Sequence, residues 1–366
     1  MYFTNTHHQI ALTLLSGVGS KRARAIIAHF ESLEEFFVEK KLNLAKLPGI
    51  SPHYLSVEHR LKALIESDKI LTSVEKKGLK IVFYTDKDYP RRLKQCQDAP
   101  LLLYTQGNIE WNPTKIISVV GTRHATTYGK DLTLELIEGL KPHYPTIVSG
   151  MAYGIDIFAH QFALKNDLPT WGVLGHGIGQ MYPSEHKKFI AKMLEKGGLI
   201  SEFVPNLKAD PAYFPMRNRI VAGLSDATIV IESGDKGGSL ITADLAAGYN
   251  RDVFAYPGDV TKPYSKGCLK LIQNNKAMLL TSSVDLIQAL NWHVDSEKRP
   301  AQRSLFVELN PVEQKIIDAL KSHSELSLDS ICFLASMSVS QASTLLLGLE
   351  FKGMIRALPG RRFQII

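Results

Sequence analysis

Between residues 116 and 259 the apolar positions fall into short continuous runs, each followed by a Gly-containing loop and an amphipathic stretch. The first run, Ile116 to Val120, meets Gly121, then a polar loop, then an amphipathic run from Asp131 to Leu140. The stretch TIVSGMAYGIDIFAHQFALK repeats the pattern, with a strand ending at Ser149-Gly150 and a helix from about Ile155. PTWGVLGHGIGQMYPSEHKKFIAKML and DATIVIESGDKGGSLITADLAAGYN repeat it again. Apolar strands of four to six residues alternating with helical patterns predict a parallel sheet with helices on both faces. Ligands of such sheets sit outside the carboxyl ends of the strands. Those ends carry Gly121-Thr122-Arg123, Ser149-Gly150, Gly175-His176-Gly177 and Ser233 to Ser239. Small residues there admit a close ligand and leave helix-start N–H groups free to bind an anion.

The pattern changes on either side of this core. Residues 1 to 66 read as a small helical domain. In LTLLSGVGSKRARAIIAHF an apolar helix end meets Gly17-Val18-Gly19, and the next helix puts Ala23, Ile26 and Ile27 on one face. This resembles the helix-hairpin-helix element, whose hairpin N–H groups face a phosphate; Lys21 and Arg22 add charge. A looser copy, LAKLPGISPHYL, has Ser51 in place of the second glycine. A packing module that kept the turn but not the DNA is the alternative. Ile81–Tyr84 and Leu101–Tyr104 read as strands extending the sheet at one edge, with Asp88-Tyr89-Pro90 as a turn and Arg91-Arg92 as solvated surface. The α/β domain is thus expected over residues 67–290, and the polar stretch 291–305 reads as a linker.

Residues 306–366 read as a winged-helix-like domain. Asn310-Pro311-Val312-Glu313 carries a capping residue, a first-position proline and a glutamate three residues after the cap. Further helices are expected at Leu328–Ala335 and Ser340–Phe351, stopped by Gly353, then a hairpin around Pro359-Gly360. The expected recognition helix has no Lys or Arg before Lys352, leaving Arg361 and Arg362 in the wing as its basic feature. Phosphate neutralisation dominates duplex affinity, so a protein-contact role fits this domain better.

Composition narrows the picture. The 366 residues allow two or three domains, and the net charge of +7 favours an anionic partner. The three cysteines, Cys96, Cys268 and Cys332, lie far apart with no CxxC, which argues against a disulfide frame or a zinc site. No apolar run approaches the ~18 residues of a membrane span. With no basic-then-apolar leader pattern at the N-terminus, a soluble, cytoplasmic protein is expected.

The sequence offers little to a cofactor. No GxGxxG follows a strand, and at Gly121…Gly129-Lys130 the spacing is too long for an ATP loop, with Asp131 where Ser or Thr would hold magnesium. Asp156 and His160 share a helix face, but no third ligand follows at metal spacing; capping and local packing explain them better. Ser149 lacks a nucleophile-elbow setting. Catalytic residues, cofactor and metal are therefore all expected to be absent. In FPMRNRIVAGLSDATIVIES, Arg217 and Arg219 flank Asn218 just before a helix whose apolar face runs Ile220, Val221 and Leu224. Two guanidiniums and an amide at a helix entry make a phosphate clamp. The alternative is surface solvation or a salt bridge to Asp226. Lys187, Lys188 and Lys236 add to the same rim if the strand order brings their loops together. Tyr182 and Phe214 either offer base-stacking faces or belong to the core.

Taken in order, VVGTRHATTYG, IVSGMAYGIDIFAH, VLGHGIGQMYPSEH, ISEF, FPMRNRIVAGLSDATIVIES, GGSLITADLAAGYNRDVFAYPGD and SKGCLKLI resemble the DNA-processing protein A (DprA/Smf) family across residues 116–272. The resemblance implies an extended Rossmann-like core between a helix-hairpin-helix (SAM-like) and a winged-helix domain. It also implies a non-enzymatic homodimer that binds and protects single-stranded DNA and loads the RecA recombinase on it during natural transformation. Carried over by position, the pocket uses Arg123, Ser149-Gly150, Lys187, Arg217-Asn218-Arg219 and Gly237-Gly238-Ser239. Tyr153 stands where the family often has Arg, and His186 where it often has Asn. The rival reading is a nucleotide-processing enzyme similar to the lysine-decarboxylase-like phosphoribohydrolases. Their PGGxGTxxE-type loop compares here with SGDKGGSLITAD, where Ala243 and Asp244 follow Thr242 and the Glu is missing.

Overall fold

The computed structural model describes residues 2–39, 56–292, 309–321, 325–352, 354–358 and 361–365. The second hairpin copy (44–55), Gly353, the Pro359-Gly360 turn and nearly all of the expected linker lie outside these residues. Asn291 and Trp292 are described, and Trp292 is buried against the core, so the polar stretch begins after them. The chain forms two compact units, residues 1–294 and 295–366.

The first unit is built on a nine-stranded sheet: β1 (Lys80–Phe83), β2 (Leu102–Gly107), β3 (Ile116–Val120), β4 (Thr146–Ser149), β5 (Thr170–Val173), β6 (Gly198–Ser201), β7 (Ala227–Val230), β8 (Asp252–Ala255) and β9 (Met278–Leu279). The spatial order is β1-β2-β6-β5-β4-β3-β7-β8-β9. β3 to β9 run parallel, and β1 and β2 extend one edge, as the sequence pattern predicts, each pairing antiparallel with its inner neighbour. Strand order reverses at β3, flanked by β4 and β7. That reversal opens a crevice where loops diverge to opposite faces, the place where doubly wound sheets take ligands.

All five residues of β3 are buried, which is why the strand reads as one apolar run. Side chains alternate across the sheet. Ile117 and Val119 face the core under α6 (Thr127–Leu140) and α7 (Ile155–Lys165). Ile116 and Val120 face the opposite core, under α9 (Tyr213–Leu224) and α10 (Gly238–Gly248). Ser118 sits among them because its hydroxyl meets that of Thr228 at 2.7 Å. The remaining helices of the core are α5 (Arg91–Lys94), α8 (Lys187–Lys196), α11 (Lys266–Gln273) and α12 (Ser283–Ala289).

The helical region comprises α1 (Asn5–Leu14), α2 (Ser20–His29), α3 (Leu33–Val38) and α4 (Val57–Lys76). It is not set off at residue 66: α4 runs unbroken across that boundary. Ile10, Leu12, Ile26 and Phe36 share one apolar cluster with Phe83, Leu102, Tyr104 and Met193 of the sheet layer. Arg24 reinforces the join by donating to the carbonyls of Cys96 and Gln97, with its guanidinium 5.0 Å from the Tyr84 ring centroid. Arg60, fully buried on α4, caps the end of α3 by donating to the carbonyls of Phe36, Phe37 and Glu39 at 2.6, 2.7 and 2.7 Å. In the hairpin, Gly17 takes a positive φ of 73°, and its carbonyl accepts from the Arg22 guanidinium at 2.6 Å. That hydrogen bond turns Arg22 toward the hairpin backbone; Lys21 stays exposed.

The second unit contains α13 (Pro311–Lys321), β10 (Leu326–Ser327), α14 (Leu328–Ala335), α15 (Val339–Phe351), β11 (Ile355–Leu358) and β12 (Arg362–Ile365). Its three strands are ordered β10-β12-β11. α13 starts as its sequence predicts: Asn310 Oδ1 accepts from the N–H groups of Val312 and Glu313, and Glu313 reaches back to the Asn310 N–H at 3.0 Å. Glu313 also accepts from Lys352 at 2.7 Å, tying the end of α15 to α13. That interaction engages the cation closing the recognition helix. In the wing, Arg362 pairs with Glu325 at 2.6 Å and Arg361 is exposed. Phe333, Leu334, Val339 and Leu347 are exposed.

Candidate nucleic-acid interface

The carboxyl ends of β3 and β4 and the amino ends of α9 and α10 enclose a pocket of about 330 Å³ at the point of strand reversal. Gly121, Thr122, Arg123, Gly150, Arg217, Asn218, Gly237, Gly238 and Ser239, all expected from the sequence, line it together. Gly237 precedes the first turn of α10 with no side-chain cap. Among the described residues, the N–H groups of Gly238 and Ser239 in that first turn take no partner and are left for a ligand, while that of Leu240 donates to the Gly237 carbonyl at 3.1 Å. Asn218 Nδ2 donates to the Gly238 carbonyl at 3.3 Å and fixes the loop against α9.

Arg217 is the centre of the pocket. It is only 5% exposed, yet its nearest carboxylate, Asp156, stands 4.0 Å away. It donates to the Val173 carbonyl, and its Nε reaches Asn218 Oδ1 at 3.3 Å. Desolvation shifts both members towards neutrality: burial raises the Asp156 pKa and lowers that of Arg217, each partly offset by the other's charge. A buried guanidinium with one loose counter-charge is stabilised by an incoming anion. Asp156 does not cap its helix, whose start at Gly154 has no side-chain cap. It accepts from the Ala152 N–H at 3.4 Å and faces Arg217 from the first turn of α7.

Gly150 makes this arrangement fit. A Cβ there would overlap both terminal nitrogens of Arg217 and Oδ2 of Asp156. Gly150→Ala is therefore expected to push the guanidinium out of its place, lowering stability by about 2 kcal/mol in urea unfolding and weakening anion binding together.

His160 lies one turn along α7, fully buried. Its Nε2–H donates to the Gly150 carbonyl at 2.8 Å, and Nδ1 faces the Thr170 hydroxyl at 2.6 Å. It packs and bonds locally, holding the Gly150 turn. Burial depresses its pKa from 6.5 to about 4. The unfolded chain then takes up the proton first, so this residue's contribution to stability falls as pH drops from about 6.5 and levels off near pH 4. NMR titration is expected to show the His160 ring unprotonated down to about pH 5.

Four expected site residues, Ser149, Lys187, Arg219 and Lys236, fall outside both the pocket lining and the slot that continues it. Arg219 points away. α9 starts at Tyr213, with Pro215 tolerated in its first turn, so both arginines sit inside the helix rather than before it. Two residues along a helix turn the side chain by roughly 200°. Arg219 instead pairs with the half-buried Glu202 and donates to the Asp98 carbonyl. The two-arginine clamp is thus one arginine in the pocket and one structural ion pair. Ser149 is fully buried and donates to the Val119 carbonyl at 2.6 Å, locking β4 to β3. Lys187 and Lys236 are exposed, at the start of α8 and in the loop before α10. Lys188 lies over the Phe189 ring at 5.1 Å. Two surface readings also change. Asp226 is held by Arg92, at 2.6 and 2.9 Å, and not by the α9 arginines, so Arg92 is no solvated side chain.

A narrow slot continues the pocket, walled by Arg123, Tyr153, Tyr182, Phe214 and Arg217. The Tyr182 and Phe214 rings lie 6.0 Å apart, and Arg123 stands 5.4 Å from the Phe214 centroid. Both aromatics line the slot rather than the interior core. Tyr153 and His186, the two departures from the family pattern, touch each other edge to face at 5.0 Å. Tyr153 donates to Glu185 at 2.9 Å, and His186 Nδ1 meets the Met151 carbonyl at 2.9 Å. The pair forms a packed unit on the slot wall. His124, directly after Arg123, also lines the pocket and drew no notice in the sequence, because a lone histidine in a polar loop has no pattern to mark it. Asp244, compared above with the enzyme loop, is on the surface, paired with Lys276 at 2.7 Å.

Fold and pocket together define a doubly wound protein with an arginine-lined cleft at the strand reversal. The comparisons narrow that class. The model described as DNA recombination-mediator protein A matches residues 80–291. A DprA winged helix domain model matches residues 298–361, and a SAM-like helix-hairpin-helix tandem model matches residues 10–53. The chain belongs to the DprA/Smf family. DNA processing protein DprA of Bacillus subtilis is 36% identical over 223 residues, spanning 61% of this chain and 75% of the relative. Protein Smf of Synechocystis is 28% identical over 388 residues, spanning 97% of each. The X-ray structure of DNA processing protein A from Streptococcus pneumoniae matches with a TM-score of 0.67 at 31% identity, covering 79% of this chain and 98% of that one. DNA processing protein A from Helicobacter pylori, described for its single-stranded DNA binding mode, matches at 0.51 and 27% identity, covering 58% and 95%.

Proposed function

We propose that this chain binds single-stranded DNA, without catalysing a reaction on it, through the pocket centred on Arg217. The observation that carries the reading is the buried, under-neutralised guanidinium beside the uncapped start of α10. A backbone phosphate supplies the missing counter-charge, and Arg123 at the mouth adds a second cation. Tyr182 and Phe214 in the adjoining slot give a flanking base an aromatic face. Lys187 and Lys236 draw the strand toward the site from the surface.

The family resemblance extends the proposal: a cytoplasmic homodimer presents two pockets to one strand, protects it, and loads the RecA recombinase on it during natural transformation. The second unit then serves protein contact. Support for that assignment is the lack of Lys and Arg in α15 before Lys352, and the pairing of Lys352 with Glu313. The direct test is Arg123→Ala. Arg123 is exposed, so the variant folds normally and is expected to bind oligo-dT about tenfold more weakly by fluorescence anisotropy. Unchanged affinity would remove Arg123 from the site.

A further inference from the structure

A second groove lies beside the pocket, between the start of α6 and the loop from β8 to α11. Its volume is about 830 Å³, and Tyr128, Tyr264, Pro257 and Pro263 supply its apolar walls. The Tyr128 ring and the Tyr264 backbone are both held in place. Tyr128 is 47% exposed, and its hydroxyl donates to the Pro257 carbonyl at 2.8 Å. The Tyr264 carbonyl accepts from the Ser233 N–H at 2.7 Å. Glu232 on the floor does not present an open carboxylate: Thr126 engages one oxygen through its N–H at 2.9 Å and the other through its hydroxyl at 2.6 Å. At the rim, Asp259 is turned back onto Thr261, whose N–H and hydroxyl lie at 2.8 and 2.7 Å, while Lys262 is exposed.

The groove is continuous with the anion pocket. His124 lines the pocket, and its ring stacks on Tyr264 across the boundary, with centroids 6.2 Å apart and planes inclined by 23°. The Thr122 N–H donates to the Glu232 carbonyl at 2.8 Å, joining the two floors. A run of aromatic faces beside a phosphate site is the arrangement that holds successive bases of one strand without reading their sequence.

We infer that the groove is an extension site for nucleobases of the strand held in the pocket: the chain of nucleotides passes over His124, and the next bases stack on Tyr264 and Tyr128. This rests on the strand-binding reading above. Lys262 serves the phosphate between those bases.

The test compares oligo-dT strands of about four and about twelve nucleotides on the full chain, by anisotropy, with a third strand of the longer length whose outer nucleotides are abasic. Tyr264→Leu is expected to lose about tenfold in affinity for the longer strand and nothing for the shorter, and the abasic strand is expected to reproduce that loss on the parent protein. Equal binding of the longer strand by parent and Tyr264→Leu, with matching melting temperatures, overturns the extension. So does parental binding of the abasic strand as tight as that of oligo-dT. Lys262→Glu, on the exposed rim, repeats the test without touching packed residues; it is expected to weaken the longer strand alone, and no change there overturns the extension too. Arg123→Ala separates the two claims, because it weakens both lengths if the pocket reading holds and neither if it fails.

Discussion

Arg217→Ala is expected to weaken oligo-dT binding by about a hundredfold and to cost about 3 kcal/mol of folding stability. The binding loss follows from removing the buried cation that meets the phosphate. Loss of stability has a different origin: Asp156, 8% exposed, is left without its counter-charge, and the Val173 carbonyl loses its donor. Burial already raises the Asp156 pKa in the parent protein, and Arg217 is the largest influence opposing that rise. In the variant the carboxyl holds its proton to higher pH in the folded chain than in the unfolded one. A raised folded-state pKa gives stability in acid that is lost as pH rises through it. The deficit should therefore be small in acid and grow towards neutrality. Asp156→Asn combined with Arg217→Ala is expected to recover most of the stability and none of the affinity, as read by urea unfolding and anisotropy on the same samples.

Arg219→Ala is expected to lower stability and leave binding nearly unchanged. Its guanidinium engages Glu202, whose pKa burial raises, and the Asp98 carbonyl, on the side of α9 away from the pocket. Removing it strands a carboxylate whose side chain is only 14% exposed and should cost about 3 kcal/mol. Strand affinity of the folded protein should remain within about twofold of the parent, because no contact to the pocket is lost. Two arginines two residues apart thus separate by readout: both lower the urea midpoint, and only Arg217 lowers affinity.

That contrast also shows where the sequence is legible and where it is not. The repeats at β3, β4, β5 and β7 are readable because buried parallel strands are predominantly apolar and their helices are amphipathic. Their Gly-rich ends are readable as a ligand site because the sheet's topology puts a crevice there. The direction of Arg219 is hidden by Pro215, which looks like a helix boundary but sits in the first turn of α9. Had the helix been started at Tyr213, its period alone would have sent the two arginines to opposite faces. Arg92 and Asp226 are 134 residues apart in the chain, so nothing local announces their pairing. The same holds for the Tyr153–His186 contact and for the groove beyond His124, which exist only once three loops converge. The helical region reads as separate because its pattern is local, whereas its core is shared with β1 and β2 through contacts distant in sequence.

The central claim, a phosphate-binding pocket for single strands, is tested most directly by titrating a labelled oligo-dT strand and a matched duplex by anisotropy at low and high salt. The account predicts tighter binding of the single strand than of the duplex, with log affinity falling steeply against log salt concentration, by a slope of roughly two or more. Preference for the duplex, or no binding of the single strand at low salt by the folded protein, would contradict it.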